Sequence, residues 1–531
     1  MITKYKNPIL PGFYPDPSAC RVGDTFYMVT SSFEYFPAVP IFKSKNLIDW
    51  EQIGHCLSRK SQLDLIGCKA SGGIYAPTIR YHQGLFYMVT TDTTGIGNFY
   101  VSAKDPAGEW SEPIKVAQGG IDPSLFWDDD GKCYFASNHL HWADQQGAWI
   151  REMNPKTGEL LGDGPTFMWG GTGGKYPEAP HIYKRNDFYY LVMAEGGTEL
   201  THAVTMARSN NIYGPYEACP NNPILSHRGS AEPIQSTGHA EFFEDQNGQW
   251  WMVCLAVRHG QYPLVHHLGR ESYLAPVNWD GDWPLIEGDY LQLCMDVPQS
   301  LPAPHKEQNK FEFIDNFSTH ELDLTWNFRR NPIPNSWSLE SQGLRLKCSE
   351  TTLDSSDQLS WVGRRQQHFD CLAETELSFA PKDKEEAGLT VGMNESHWHA
   401  LSIHYKNNQR FITLKRAIGS IRFEVNSSPI PAAGKVKLRL TSDDIWYTFS
   451  AEVQGKTYEL GQAEVRHIAT EIAGGFTGAY IALYASSNGA ESANTALFHN
   501  FCYKDISTRA HDDRGLISMV NPDIVADNLA L

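Results

Sequence analysis

At 531 residues the chain is too long for one ordinary domain and calls for two or three. A formal charge of −18 at pH 7 argues against an electrostatic partnership with nucleic acid or an anionic membrane, and no run reaches the roughly 18 apolar residues of a membrane span. The aromatic content, with 15 Trp and 24 Tyr beside 44 Gly, suits an all-β protein with an aromatic-lined groove for a neutral ligand, although most such rings fill cores.

The N-terminal Met1-Ile2-Thr3-Lys4-Tyr5-Lys6 runs into Asn7-Pro8 with no apolar segment of the secretory type. Ten Cys are scattered without Cys-x-x-Cys or zinc-like spacing and read as buried free thiols. Together these features point to the cytoplasm. The stretch from Asn7 to Ser18 contains Asp16-Pro17, which alone would be an ordinary turn. It occupies a fixed place in a recurring unit, however. A turn pair followed three residues later by an aromatic appears at Asp24 to Tyr27, Gly84 to Tyr87, Gly131 to Tyr134, Asp187 to Tyr190 and Gly248 to Trp251. Each joins two short runs rich in β-branched and aromatic residues and predicts a hairpin.

Five hairpin units at intervals of about 47 to 61 residues predict the blades of a five-bladed β-propeller. Trp50, Trp110, Leu160, Tyr216 and Trp283 recur where an outer strand of each blade is expected. Eleven or twelve residues before each hairpin aromatic stand Asp16, Ala76, Asp122, Glu178 and His239. Innermost strands line a propeller's axis, so these positions are expected to converge. Three carboxyls in one pocket repel and raise at least one pKa, a costly arrangement that points to catalysis.

The repeats span residues 1–297, and a Pro-rich break with charged residues over 298–312 reads as a linker. From 313 to 505 the pattern changes to evenly spaced short strands, including Leu344–Lys347, Phe411–Leu414, Val436–Leu440 and Ala479–Tyr484, which predict a C-terminal β-sandwich, jelly-roll-like. A polar tail occupies 506–531, turning more apolar from Ile524.

Several segments carry a resemblance. Pro15-Asp16-Pro17-Ser18, Ser31 to Pro37, Gly72 to Pro77, Ile121 to Leu125, Pro177 to His181, Ala194 to Thr198 and Leu268 to Glu271 run across the first domain in the order seen in glycoside hydrolase family 43. The chain resembles the two-domain β-xylosidase and α-L-arabinofuranosidase branch, and its second domain is similar to that branch's sandwich more loosely. The resemblance implies an exo-acting, inverting hydrolase that releases terminal β-D-xylose or α-L-arabinofuranose from small oligosaccharides. Asp16 would be the general base that activates water and Glu178 the general acid. Asp122 would raise the acid's pKa and hold it in place. An inverting pair stands about 6.5–9.5 Å apart to admit the water.

By the same resemblance Arg270 would contact sugar hydroxyls, unless it only pairs with a neighbour such as Glu271. Phe33, Tyr75 and Thr198 would line the terminal-sugar pocket, unless they serve blade packing. Relatives carry Trp at the place of Tyr75 and an aromatic at that of Ile121, which leaves the sugar preference open. His239 resembles a family histidine near a calcium or water cluster on the axis. No cofactor is required, and a structural calcium there would be reached through water because calcium prefers oxygen ligands. Phe476, between glycines in the second domain, is the candidate for a rim aromatic reaching the pocket, unless it is sandwich core. A homo-oligomer is left open. The alternatives are an α-L-arabinofuranosidase or endo-arabinanase with little xylosidase activity, a retaining fructan-processing enzyme, and a non-catalytic carbohydrate-binding propeller. The last would have no need of three converging acids.

Overall fold

Short runs rich in β-branched and aromatic residues, many of them buried along their whole length and broken by tight turns, form five four-stranded antiparallel meanders up to residue 286. The computed structural model describes residues 4–142, 145–260, 264–286, 290–298, 300–304 and 311–508. The first sheet comprises Ser18–Val22, Thr25–Val29, Ala38–Ser44 and Glu51–Leu57, and the second Thr78–His82, Leu85–Asp92, Gly97–Ala103 and Ile114–Lys115. The third holds Ile121–Trp127, Cys133–Trp142, Gln145–Met153 and Thr166–Trp169. The fourth holds Glu178–Arg185, Phe188–Glu195, Ala203–Ser209 and Glu217–Ala218, and the fifth Ile234–Glu244, Trp250–Arg258, Glu271–Asp280 and Trp283–Ile286.

All five expected hairpins join the first strand of a sheet to its second. Their turns place Gly23, Gly84, Gly131, Asn186 and Gly248 at φ between 54° and 86°, a left-handed conformation that Gly and Asn adopt most readily. Trp50, Trp110, Leu160 and Tyr216 precede the outermost strands of their sheets, and Trp283 begins the last one. The first strands of the five sheets touch one another in a closed cycle, with Ile234–Glu244 returning to Ser18–Val22. Lys4–Lys6 pairs with Cys294–Asp296, and the Asn7 side chain exchanges hydrogen bonds with Leu274 at 2.9 and 3.0 Å, tying the N-terminal segment to the fifth sheet. Apolar clusters fill the spaces between neighbouring sheets, and the first strands carry buried polar residues such as Ser18, Thr78, Asp122, His181 and Glu241.

The remaining residues form two packed antiparallel sheets. One has eight strands, among them Gly343–Lys347, Cys371–Ser378, Val436–Ser442 and Thr495–Asp505, with Glu312–Asp315 paired to the last of these. The other has six, including Trp361–Arg365, Glu386–Asn394, Gln409–Ile418 and Tyr480–Ser486. Cys371–Ser378 alternates buried and half-buried residues strictly, as one face packs on a core that includes Leu389, Ile403, Phe449 and Phe498. The expected tail lies outside the described residues from 509 onward, as do 305–310 of the expected linker.

The two bodies are joined by specific contacts. Tyr35 stacks on Tyr480 at 3.9 Å between ring centroids, and Tyr35–Phe36 pairs with Phe328–Arg329 as a short ribbon. Arg365 donates to the Phe13 carbonyl at 2.6 Å while its guanidinium lies 4.4 Å over Tyr14. Gly269 meets Gly478 so closely that a Cβ at Gly269 would stand 2.9 Å from the Gly478 Cα. Contacts this tight fix one body against the other.

Candidate active site

The first strands turn their polar residues inward by breaking their own alternation. Register shifts occur at Ile121/Ser124, Glu178/His181 and Gly238/Glu241, and Asp16, Asp122, Ala179 and His239 all have φ between 48° and 54°. Bulges re-aim side chains, and such conformations cost about 1–3 kcal/mol each in residues other than Gly. The result brings Asp16, Asp122, Glu178 and His239 together, while Ala76, the remaining axial position, adds no charge.

Their electrostatics diverge. Asp16 is buried, which alone would raise its pKa, but Arg270, His239 and the Ser31 hydroxyl hold it below the usual carboxylate value. Arg270 donates to Asp16 Oδ1 at 2.8 Å, Ser31 donates to Oδ2, and His239 Nδ1 stands 3.8 Å from Oδ1. Glu178 is pushed up to about 7 by burial and by the Asp16 charge, against the pull of Arg270. Asp122 is raised well above 3.8 by burial, then by Glu178 and Asp16, although the Ala179 amide donates to it. One carboxyl is therefore biased toward its ionised form and the other two toward their protonated forms.

Arg270 is not paired with Glu271. That carboxylate binds Arg258 through two 2.7 Å contacts, leaving Arg270 to face the pocket. Besides Asp16, Arg270 reaches the Thr198 hydroxyl at 3.4 Å and the Phe476 carbonyl at 3.3 Å, and its buried Nε has no partner. Its guanidinium lies 5.6 Å from the Phe33 ring centroid and 5.9 Å from that of Phe476. Phe33 contacts Tyr75 at 5.1 Å and Phe476 at 6.1 Å, so the three rings form one wall. Phe476 is 40% exposed and stands outside the sandwich core, crossing to the first body. Gly474 and Gly475 take φ of 72° and 87°, which lets the Phe476 amide donate to Ser71 Oγ at 2.8 Å.

The structure adds residues that sequence reasoning passed over. Ser31 lies inside a quoted segment but carries no chemistry without its partner Asp16. Ser71 accepts from Phe476 through its hydroxyl, and its amide donates to Glu34 at 3.0 Å, a link no spacing reveals. Buried Glu195 accepts from the Thr172 amide at 2.7 Å, the Gly174 amide at 2.9 Å and Thr205 Oγ1 at 2.7 Å, pinning the loop that leads into Glu178. Beside His239, the Arg80–Glu241 ion pair and His181 occupy the axis, and His202, lowered to about 3 by burial, bonds the Ser236 carbonyl.

A cycle of sheets that brings one carboxyl held below its ordinary pKa and two raised above theirs beside an arginine and a cluster of aromatic rings suits a glycosidase. The chain belongs to glycosyl hydrolases family 43, whose sequence model matches residues 5–284, and the beta xylosidase C-terminal concanavalin A-like domain matches 314–504. It is 41% identical to a non-reducing end alpha-L-arabinofuranosidase of Bacteroides ovatus, covering 94% of each chain. It is 37% identical to a xylosidase/arabinosidase of Butyrivibrio fibrisolvens, over 94% of this chain and 99% of that one. The solved xylan beta-1,4-xylosidase of Bacillus halodurans superposes with a TM-score of 0.87 at 34% identity, covering 94% of this chain and all of the other.

Proposed function

We propose that this glycosidase releases terminal β-D-xylose or α-L-arabinofuranose from xylan- or arabinoxylan-derived oligosaccharides, exo-acting and with inversion. The observation that carries the reading is the opposite tuning of Asp16 and Glu178. Asp16, ionised and held by Arg270 and Ser31, serves as general base for the attacking water. Glu178, protonated near neutral pH, donates to the leaving oxygen. Asp122, its own pKa raised by burial and by the charges of Glu178 and Asp16, shares the buried cluster with the acid and holds it in place. Arg270 presents its guanidinium to a sugar hydroxyl, with Thr198 beside it, while Tyr75 and Phe476, backed by the buried Phe33, receive the sugar's apolar face. Phe476 closes one side of the pocket, which favours chain ends over internal bonds. The relatives' names, arabinofuranosidase and xylosidase, support both terminal sugars.

In the same reading the five sheets are the blades of a five-bladed propeller over 1–297, joined by a linker at 298–312 to a sandwich over 313–505. The ten thiols, none of them in a disulfide, support a reducing cytoplasm. Around His239 stand the Asp16 carboxylate, already held by Arg270, the imidazoles of His202 and His181, and the Glu241 that Arg80 engages. That set does not suit calcium, which takes six to eight oxygens, and catalysis is assigned to the carboxyls alone. Proton NMR of the first sugar released from a β-xyloside tests the proposal. The α-anomer should appear first, and early β-anomer would make Asp16 a nucleophile and overturn these roles.

A further inference from the structure

Away from the catalytic pocket, a second group of ligating side chains spans the two bodies. His259 follows directly on Trp250–Arg258, His266 lies four residues before Arg270, and Glu471 sits in the short helix Thr470–Ala473, five residues before Phe476. Their ligand atoms all lie within 4.8 Å of one another. His266 Nδ1 is 2.6 Å from Glu471 Oε1, and His259 Nε2 is 3.8 Å from the same oxygen. The main chain holds this arrangement. The His266 amide donates to Glu471 Oε2 at 3.0 Å, the Thr470 amide to the His266 carbonyl at 3.1 Å, and the Gly260 amide to the Val265 carbonyl at 3.2 Å.

His259 is the member that internal hydrogen bonding does not explain. Its side chain is only 5% exposed, yet its Nε2 is too far from Glu471 for a hydrogen bond and its Nδ1 is buried without a partner. A buried imidazole nitrogen left without a partner is destabilising unless something else binds it. Two imidazoles and a carboxylate form a donor set for zinc, with a fourth position left for water. Tetrahedral bonds of about 2.0–2.1 Å put ligand atoms about 3.4 Å apart. The 2.6 Å and 3.8 Å separations here reach that value by movements of less than about 1 Å.

We propose that His259, His266 and Glu471 form a site for a divalent transition-metal ion, zinc by its donor chemistry, clamping the segment that carries Arg270 to the segment that carries Phe476. This claim is independent of the roles assigned inside the pocket. The full chain, stripped with a chelator, is titrated with zinc chloride by calorimetry and with cobalt chloride by visible absorbance. One ion per chain is expected, with the intense cobalt bands of a tetrahedral site and a zinc-dependent rise in Tm. His259→Ala and Glu471→Gln should each weaken zinc binding by about 10- to 100-fold and abolish the rise in Tm. Zinc affinity unchanged in both variants would overturn the proposal, as would the absence of binding at micromolar zinc. A weak octahedral cobalt spectrum on the unaltered chain would also overturn it, whether or not either variant folds.

Discussion

Glu178→Ala separates proton donation from the rest of catalysis. A carboxyl at 4.5 would be protonated in about one molecule in 300 at pH 7, whereas at about 7 half the molecules carry the proton, a difference of about 3 kcal/mol. Burial and the Asp16 charge produce that difference, which supports the proposed role of Glu178 as the acid near neutrality. A positioned general acid contributes about 10²- to 10⁴-fold when the leaving group is a poor one. The variant should therefore lose about that factor in kcat/KM on xylobiose, while a nitrophenyl β-xyloside, whose phenolate departs unaided, loses much less. The acid works only when protonated, so wild-type kcat/KM on xylobiose should fall as pH rises through about 7. In the variant that alkaline limb should vanish from the profile of the residual activity on xylobiose. Equal losses on both substrates, or an alkaline limb still near 7 in Glu178→Ala, would refute the assignment.

Asp16→Ala should cripple hydrolysis of both substrates alike, because the water loses its base whatever the leaving group; retained activity on the nitrophenyl glycoside would argue against that role. Phe476→Ala should raise KM for terminal sugars and leave Tm within about 2 °C, as the ring is partly exposed. Tyr480→Ala, by contrast, removes a fully buried ring stacked on Tyr35 and should cost about 3–5 kcal/mol, read as a clear loss of Tm by calorimetry. A carboxyl whose pKa is higher folded than unfolded contributes stability below the unfolded value and loses it as pH rises through the folded one. Glu178→Gln should thus have little effect on Tm at pH 4 and raise it at pH 8, and a lowered Tm at pH 8 would contradict the raised pKa.

Hairpins, strand spacing and the axial positions were legible in the sequence because they depend on local rules. Turn residues such as Gly84 and Gly248 permit positive φ whatever surrounds them, and a period-two pattern marks a strand wherever it packs. The convergence of Asp16, Asp122 and Glu178 followed from counting back along equivalent strands. Arg270 illustrates what such counting misses. Its neighbour in sequence, Glu271, offered a partner, and only the folded chain shows Arg258 taking Glu271 and leaving Arg270 for Asp16, 254 residues away. Nor could the sequence say that Ser71 holds Phe476, that Glu195 pins the loop before Glu178, or that His259 and His266 meet Glu471. The amino-acid sequence by itself determined the strands, the turns and the identity of the axial acids, since these depend on residues a few positions apart. Tertiary structure alone decided which acid is held below its ordinary pKa and which ring from the second body meets Phe33 and Tyr75, because pKa and contact depend on groups that folding brings within a few ångströms from distant parts of the chain.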